Sequence, residues 1–376
     1  MSRLTDELVS DGPVALDCVQ QLTPYQPGKP IDELEREFGI SNVVKLASNE
    51  NPLGMSPLAR EAIDSELDNL ALYPDGSGHY LKAKLAKKLS LSVDQITLGN
   101  GSNDVLEIIA RCYADSKSEI IYSQYGFAIY PIVTQAVGAS HVCVNANNYG
   151  HDLHLMLAAV TDKTAIIYIA NPNNPTGTFL SSEELKTFVR SVPKNVVVVI
   201  DEAYHEYISE NPYESAVLWV SQFPNLIVSR TFSKAYGLAG LRIGYCVSDK
   251  SVGNILNRVR QPFNTNTLAL VAANAALDDD LFLKNVVNLN NSGLQQLQFA
   301  FDKMGLYFIP SKGNFVAVDV ACDGEKAYEA LLRVGVIVRP IGAYGLPTFI
   351  RVTVGTEEQN DRFLQSLSNV LAEMKD

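Results

Sequence analysis

The chain has 376 residues, 47% of them hydrophobic, so it can bury a core large enough for two domains that share a cleft. Its 42 acidic residues outnumber its 30 basic residues and give a formal net charge of −12. No basic block interleaved with aromatic residues occurs, which argues against a nucleic-acid-binding surface. Any anionic ligand must therefore be met by cations at one place in the structure.

Cysteine usage and apolar runs indicate the compartment. The five cysteines are scattered, odd in number and without a CxxC pair, which favours a reducing environment. The N-terminal residues lack the apolar core of a signal peptide, and no run approaches the roughly 20 apolar residues that span a bilayer. We therefore expect a cytoplasmic protein that does not bind membranes.

The first 40 residues are expected to form an arm. Residues 22–30 contain too many prolines for a helix or a central strand, whereas residues 31–38 have the pattern of a short amphipathic helix. After the arm, Ser56 followed by Pro57 marks the start of a helix, and residues 81–89 form another. An arm of this kind usually packs on another part of the protein.

From residue 96 onward, short apolar runs alternate with amphipathic segments. This pattern is typical of an α/β fold with a mostly parallel sheet covered by helices on both faces. Seven strands are expected, at residues 96–98, 119–122, 141–144, 164–169, 196–200, 226–228 and 242–247. Helices are expected near residues 103–113, 125–136, 182–190 and 267–277. Together these elements define a large domain over residues 41–280.

After residue 280 the pattern changes. Residues 281–304 read as one long amphipathic helix, which we expect to lead into a smaller α+β domain over residues 281–376. Its strands are expected at residues 306–310, 315–320, 336–339 and 348–354, and its helices at residues 325–334 and from about 357.

A lysine in the stretch 229–245 is the first candidate for chemistry. Lys234 follows the hydroxyls of Thr231 and Ser233 and is surrounded by glycines, with no acidic neighbour in the run. A lysine that is withdrawn from water can lose its proton and act as an amine nucleophile. A single lysine of this kind is more often a solvated loop residue, so the residues that accompany it decide the interpretation.

Loops at the ends of the expected strands carry polar residues suited to one ligand. Residues 100–104 open a helix and leave backbone N–H groups to bind an anion. Asp201 ends a very apolar strand and needs a cation or a proton, because an unpaired buried charge is costly. Asn174 is held in a proline-rich turn, and Tyr125 offers an aromatic face. Taken singly, each also has an ordinary role as a cap, a turn or a packing residue.

These features fit pyridoxal 5′-phosphate, which has an anionic end, a flat ring with a basic nitrogen, a phenolic oxygen and an aldehyde. From residue 22 to residue 355, the sequence resembles the fold-type I pyridoxal-phosphate-dependent aminotransferases. The resemblance is carried by Asn-Pro-Asn-Asn-Pro-Thr-Gly at 171–177, Asp-Glu-Ala-Tyr at 201–204 and Ser-Lys-Ala-Tyr-Gly-Leu-Ala-Gly-Leu-Arg-Ile-Gly-Tyr at 233–245. Together and in this order, these motifs are highly specific.

The resemblance implies a role for each candidate residue. Lys234 would bond to the cofactor aldehyde and later carry the proton, while Asp201 would hold the ring nitrogen protonated. Tyr125 would stack on the ring. The resemblance further implies that the phenolic oxygen is bound by Asn174 and Tyr204, and the phosphate by Ser102, Asn103, Thr231, Ser233, Arg242 and, from the neighbouring subunit of a homodimer, Tyr73.

The same resemblance implies the substrates. It is greatest to family members that transfer the amino group of L-histidinol phosphate to 2-oxoglutarate, giving imidazole-acetol phosphate and L-glutamate in histidine biosynthesis. Arg339 and Arg351 would then bind the phosphate or carboxylate of the substrate, because a guanidinium pairs with either anion. Asn49 would also contact the substrate, and Tyr25 from the arm would close over the imidazole ring.

Three alternatives remain open at this stage. The same cofactor residues would serve an aromatic amino-acid aminotransferase or a decarboxylase of a phosphorylated amino acid. A cofactor-binding protein without catalysis is a third, although the intact set of cofactor residues argues against it. No metal site is expected, because His151 and His154 are the only close histidine pair and we assign both to the surface.

Overall fold

The computed structural model describes residues 13–24, 26, 28–208 and 213–374. The strands in these residues are β1 Val44–Lys45, β2 Ile96–Gly99, β3 Glu119–Ser123, β4 Ser140–Val144, β5 Thr164–Ala170, β6 Val197–Asp201, β7 Leu226–Thr231, β8 Gly244–Val247, β9 Phe308–Ile309, β10 Phe315–Asp319, β11 Val336–Ile337, β12 Arg339–Pro340 and β13 Phe349–Thr353. The helices are α1 Asp17–Gln20, α2 Ile31–Phe38, α3 Pro57–Glu66, α4 His79–Leu89, α5 Ser102–Tyr113, α6 Ile129–Ala136, α7 Leu153–Ala158, α8 Ser182–Ser191, α9 Lys250–Val259, α10 Thr267–Ala276, α11 Asp280–Met304, α12 Gly324–Arg333 and α13 Glu357–Glu373.

The large sheet contains the seven strands that the sequence predicts, in the order β2-β8-β7-β6-β5-β3-β4. Strands β4, β3, β5, β6 and β7 are parallel to one another, whereas β8 runs antiparallel to both β7 and β2. Parallel neighbours end at the same edge of the sheet, so the loops after β5, β6 and β7 are brought together. The prediction of a mostly parallel seven-stranded sheet is confirmed.

Both faces of this sheet are buried, which explains why its strands read as continuous apolar runs. Ile167, Ile169 and Val198 belong to the core on one face, together with residues of α3, α4, α8 and α10. Ile166 and Tyr168, which alternate with them, belong to the core on the other face with α5, α6 and α9. Helices therefore cover the sheet on both sides, as predicted.

The C-terminal part forms a second unit. Strands β12, β13, β10 and β9 make an antiparallel sheet, and its core includes side chains of α11, α12 and α13. The predicted strand at 336–339 is divided, because β11 pairs in parallel with β1 while β12 pairs with β13. Val44 and Leu46 consequently pack in the core of the small unit, although the predicted boundary assigns them to the large one.

One histidine departs from the prediction. His151 is buried, and its Nε2 donates a hydrogen bond to the carbonyl oxygen of Ala170 at 2.9 Å, at the end of β5. Burial lowers the pKa of its imidazole to about 4, so the ring is neutral at pH 7. The assignment of His151 to the surface is therefore wrong, whereas His154 is exposed as predicted.

No helix in the described part of the chain combines the length and the apolar character needed to cross a bilayer.

Candidate active site

A cavity of about 210 Å³ lies at the carboxyl ends of β5, β6 and β7. It is the place at which the topology of an open α/β sheet leaves a crevice for a ligand. Most of the residues that the sequence predicts for the site line it: Asn49, Ser102, Asn103, Asn174, Asp201, Tyr204, Thr231, Ser233, Lys234, Arg242, Arg339 and Arg351. Residues as far apart in sequence as Asn49 and Arg351 therefore share one cavity.

Lys234 extends from the loop after β7 into this cavity. Its Nζ donates a hydrogen bond to the carbonyl oxygen of Ser48 at 3.0 Å and lies 5.9 Å from the centre of the Tyr204 ring. Withdrawal from water lowers the pKa of the Lys234 amine to about 8, and the positive charge of Arg351 acts in the same direction. A substantial fraction of the amine is therefore unprotonated near pH 8, which a nucleophile requires.

Asp201 stands at the end of β6 and is only 4% exposed. The hydroxyl of Tyr130 donates to its Oδ2 at 3.1 Å, while its Oδ1 has no hydrogen-bond partner among the described residues. The Tyr130 ring is fixed by stacking on Tyr168, with ring centres 4.8 Å apart. Burial raises the pKa of the Asp201 carboxyl to about 6. A buried carboxylate with an unused oxygen at a cavity wall suits a ligand that presents a positive charge or an N–H group.

Another part of the cavity wall is suited to an anion. Helix α5 begins there at Ser102, and Gly101 stands at its N-cap with φ +86°. A Cβ atom at Gly101 would lie 2.3 Å from Nη2 of Arg242, so only glycine allows the arginine to approach the helix start. The Arg242 Nη1 donates to the Ser233 hydroxyl at 3.4 Å. A helix N-terminus, hydroxyls and a guanidinium together suit a phosphate group.

Two arginines come from the small unit. Arg351 donates from Nη1 to Oδ1 of Asn174 and from Nη2 to the carbonyl oxygen of Ala47 at 2.7 Å. Its guanidinium carbon lies 5.4 Å from the centre of the Phe315 ring. Arg339 donates from Nη2 to the carbonyl oxygen of Gln26 at 2.6 Å. The arm therefore reaches the cavity wall at Arg339.

Two of the predicted site residues that the structure describes, Tyr125 and Tyr73, do not line this cavity. The Tyr125 ring packs instead against Tyr149, with centres 5.9 Å apart, and Phe127 from the same loop lines the cavity. Tyr73 is 83% exposed and stacks on Phe263 at 4.8 Å. Tyr25 lies outside the described residues. Phe127 is the aromatic residue of the loop 125–127 that lines the cavity, and the stacking of Tyr125 on the cofactor ring stays a prediction.

Tyr130 was missed altogether. It lies on α6, and its partner Asp201 is 71 residues away in sequence. Nothing in the local pattern around Tyr130 separates it from the core aromatics, because it is fully buried and stacks on another tyrosine. Only the fold brings its hydroxyl to the carboxylate.

The sequence model of the aminotransferase class I and II family matches residues 41–367. The chain belongs to this family. The aminotransferase is 54% identical over 364 residues to histidinol-phosphate aminotransferase 1 of Idiomarina loihiensis, across 97% of this chain and 98% of that protein. It is 56% identical over 356 residues to histidinol-phosphate aminotransferase 2 of Pseudomonas aeruginosa, across 94% and 96% of the two chains.

A solved structure agrees with these relatives. The crystal structure of histidinol-phosphate aminotransferase from Sinorhizobium meliloti, in complex with pyridoxal-5′-phosphate, superimposes with a TM-score of 0.88 at 30% identity. The match covers 95% of this chain and 97% of that one. The predictions of an α/β aminotransferase fold, of an enzyme and of pyridoxal phosphate as its cofactor are thereby confirmed.

Proposed function

We propose that this aminotransferase transfers the amino group of L-histidinol phosphate to 2-oxoglutarate, giving imidazole-acetol phosphate and L-glutamate in histidine biosynthesis. The observation that carries the proposal is that Arg339 and Arg351 line the same cavity as Lys234. The donor carries a phosphate ester where an amino acid carries its carboxylate, and the acceptor carries two carboxylates. A guanidinium pairs bidentately with either anion, so one pocket can serve both half-reactions.

The cavity fits pyridoxal 5′-phosphate at three points. The start of α5 with Arg242 suits the phosphate, the unused Oδ1 of Asp201 suits a protonated ring nitrogen, and the Lys234 amine suits the aldehyde. When bound, the cofactor supplies an aldehyde carbon that takes up the amino group and a ring that accepts the electron pair left at the substrate Cα. Phe127 would form an apolar wall beside that ring.

The side chains around the ring would hold charge in place. An ionised Asp201 would keep a proton at the ring nitrogen, because a carboxylate paired with N–H⁺ in a buried site stabilises the charged form. The Asn174 Oδ1 accepts from Arg351, so the Asn174 amide nitrogen would be the donor to the phenolic oxygen. Tyr204 would be the second donor to that oxygen.

Lys234 would carry the proton in the reaction. Its amine would take the proton from the substrate Cα and deliver it to the aldehyde carbon of the cofactor. A group that is both base and acid works best when its pKa lies near the working pH, and burial brings the pKa of Lys234 to about 8.

Replacing Arg339 with alanine is expected to lower kcat/KM for histidinol phosphate by about 10- to 100-fold, the worth of a hydrogen bond between charged groups. The value for phenylalanine, which has no phosphate, should fall much less. Steady-state kinetics with both donors measures this difference. Arg333→Ala, at an exposed site on α12, is the matched control and should change neither value.

Arg339→Lys separates charge from hydrogen-bond geometry, and we expect it to recover only part of the loss. A parent enzyme that prefers phenylalanine would instead indicate an aromatic aminotransferase. If Arg339→Ala lowered kcat/KM equally for both donors, Arg339 would have no role in phosphate recognition. Its contact with the arm at Gln26 would then be its remaining role.

We further propose that the enzyme is a homodimer whose sites lie at the subunit interface. Large apolar side chains are exposed beside one another around a groove between α3, α4 and α10, among them Leu72, Tyr73 and Tyr80. Exposed apolar surface of this kind is usually covered by another protein. The family resemblance assigns Tyr73 to the phosphate of the neighbouring subunit's cofactor, which is consistent with its exposure.

Mixing two inactive variants tests the shared site. Tyr73→Ala and Lys234→Ala each damage every site of their own dimers, but a mixed dimer contains one site with both residues intact. After subunit exchange at limiting cofactor, activity should recover to roughly a quarter of the parent value, because half of the dimers are mixed and each has one good site. Failure to recover, in a mixture shown to contain mixed dimers, would place Tyr73 and Lys234 in the same subunit's site.

A cytoplasmic location remains our proposal. All five cysteines are free thiols in the structure, as expected in a reducing compartment.

A further inference from the structure

Three buried side chains form a chain of hydrogen bonds from the small unit to the cavity. Thr353 lies at the end of β13, Asn49 follows β1, and Tyr204 follows β6. The Thr353 Oγ1 lies 3.2 Å from Oδ1 of Asn49, and the Asn49 Nδ2 lies 2.8 Å from the Tyr204 hydroxyl. Both Asn49 and Tyr204 line the cavity, whereas Thr353 does not. Thr353 is therefore linked to the cavity through the other two.

The placement of the Asn49 amide gives the direction of each hydrogen bond, and one backbone contact is consistent with it. The N–H of Asn49 donates to Oγ1 of Thr353 at 2.9 Å. Because this oxygen already accepts a hydrogen bond, the single hydroxyl hydrogen of Thr353 is available for Oδ1 of Asn49. In the structure the amide oxygen accepts this hydrogen, and the amide nitrogen faces Tyr204 and donates to its hydroxyl oxygen. The Tyr204 oxygen accepts this hydrogen bond from Asn49, so the hydroxyl hydrogen of Tyr204 can be donated to a different group.

The backbone of Asn49 is held as firmly as its side chain. Its φ of +55° lies in the left-handed region, which asparagine tolerates better than most residues. Its carbonyl oxygen accepts a hydrogen bond from Nδ2 of Asn314 at 3.1 Å. Burial raises the pKa of Tyr204 to about 12, so its hydroxyl keeps its hydrogen at the pH of the reaction.

We propose that Thr353 is a positioning residue that, through Asn49, fixes the Tyr204 hydroxyl as a hydrogen-bond donor to the phenolic oxygen of the cofactor. The inference rests on the proposed function, because it takes Tyr204 as a ligand of that oxygen. It gives Asn49 a role beside the cofactor instead of the substrate contact that the family resemblance implies.

The test uses two ligands that differ by one oxygen. The full-length apoprotein is titrated with pyridoxal 5′-phosphate and with 3-deoxypyridoxal 5′-phosphate, which lacks the phenolic oxygen. The measured quantity is the Kd of the deoxy compound divided by the Kd of pyridoxal 5′-phosphate. Thr353→Val is expected to reduce this ratio by about fivefold, which corresponds to about 1 kcal/mol, because only binding of the natural cofactor depends on the donor. Thr353→Ser keeps the hydroxyl and should preserve the parent ratio.

Asn49→Asp provides an independent variant. A carboxylate can only accept, so it would draw the Tyr204 hydrogen away from the cavity and reduce the ratio at least as much as Thr353→Val. Aspartate tolerates positive φ nearly as well as asparagine, so the backbone at this position can be kept. In a Tyr204→Phe background, Thr353→Val should have no further effect on the ratio.

Equal weakening of both ligands in Thr353→Val, or no weakening of either, would overturn the proposal. Equal affinities of the parent for the two ligands would overturn it as well, because the phenolic oxygen would then have no donor to lose. Failure of the proposed function is seen separately, as a parent enzyme that does not transaminate histidinol phosphate.

Discussion

Replacing Lys234 with alanine is expected to lower kcat for histidinol phosphate by about 10⁴-fold or more, since proton transfer by a positioned side chain contributes up to about that factor. The amine also provides the covalent attachment of the cofactor, so both functions are lost together. Lys234 is the only lysine among the residues that line the cavity within the described chain. Rapid single-turnover kinetics of the first half-reaction measures the effect on the chemical step directly.

Two controls accompany this variant. Lys88→Ala removes a lysine that pairs with Asp280 at the surface, and its activity should equal that of the parent. Borohydride reduction of the parent holoenzyme followed by peptide mapping should place the pyridoxyl group on Lys234. A label on another lysine, or near-parental turnover of Lys234→Ala, would contradict the assignment.

Asp201→Asn is expected to keep cofactor binding but to lose about 30- to 1,000-fold in the rate of the chemical step, equivalent to about 2–4 kcal/mol. An amide cannot hold the ring nitrogen in its charged form, so the ring accepts the electron pair from the substrate Cα less readily. Half-reaction rates with histidinol phosphate measure the loss. Rates close to those of the parent would contradict the role of Asp201.

The same substitution should stabilise the apoprotein above about pH 6. Burial raises the pKa of Asp201 from 3.8 to about 6, so the folded state binds a proton that the unfolded state has released. The free energy of unfolding therefore falls as the pH rises from about 4 to 6, by about 3 kcal/mol at most for this group. Asp201→Asn lacks this loss, so its melting temperature should exceed that of the parent at pH 7.5 and match it at pH 3.5. If the variant and the parent differed in melting temperature by the same amount at pH 3.5 and pH 7.5, ionisation of Asp201 would have no energetic cost in the folded protein.

The expected pair of effects, slower chemistry with a more stable apoprotein, is the signature of a group kept for function. Glu202, which follows Asp201 in the sequence, behaves differently from Asp201. The Arg230 guanidinium donates to Glu202 at 2.7 Å, and although burial opposes it, this charge lowers the pKa of Glu202. A carboxylate with a complete set of partners has a structural role, whereas Asp201 has an oxygen left for a ligand.

The sequence alone was sufficient for the large sheet and for the loops of the site. Strands buried on both faces, such as β6, read as uninterrupted apolar runs, and parallel strands must end at one edge of the sheet. Asp201 follows such a run directly, and Lys234 is the third residue after β7, so the positions of these side chains were predictable from local pattern. The order of motifs then indicated the family and its cofactor.

Only the tertiary structure decided how these side chains are supported. Tyr125 and Phe127 are both aromatic residues of one loop, and their local sequence does not show which ring turns toward the cavity. Val44 joins the core of the small unit because β1 pairs with β11, almost 300 residues later. Thr353 and Asn49 meet across 304 residues. Hydrophobic periodicity reports on one element and its immediate neighbours, so contacts between distant segments become visible only when the chain is folded.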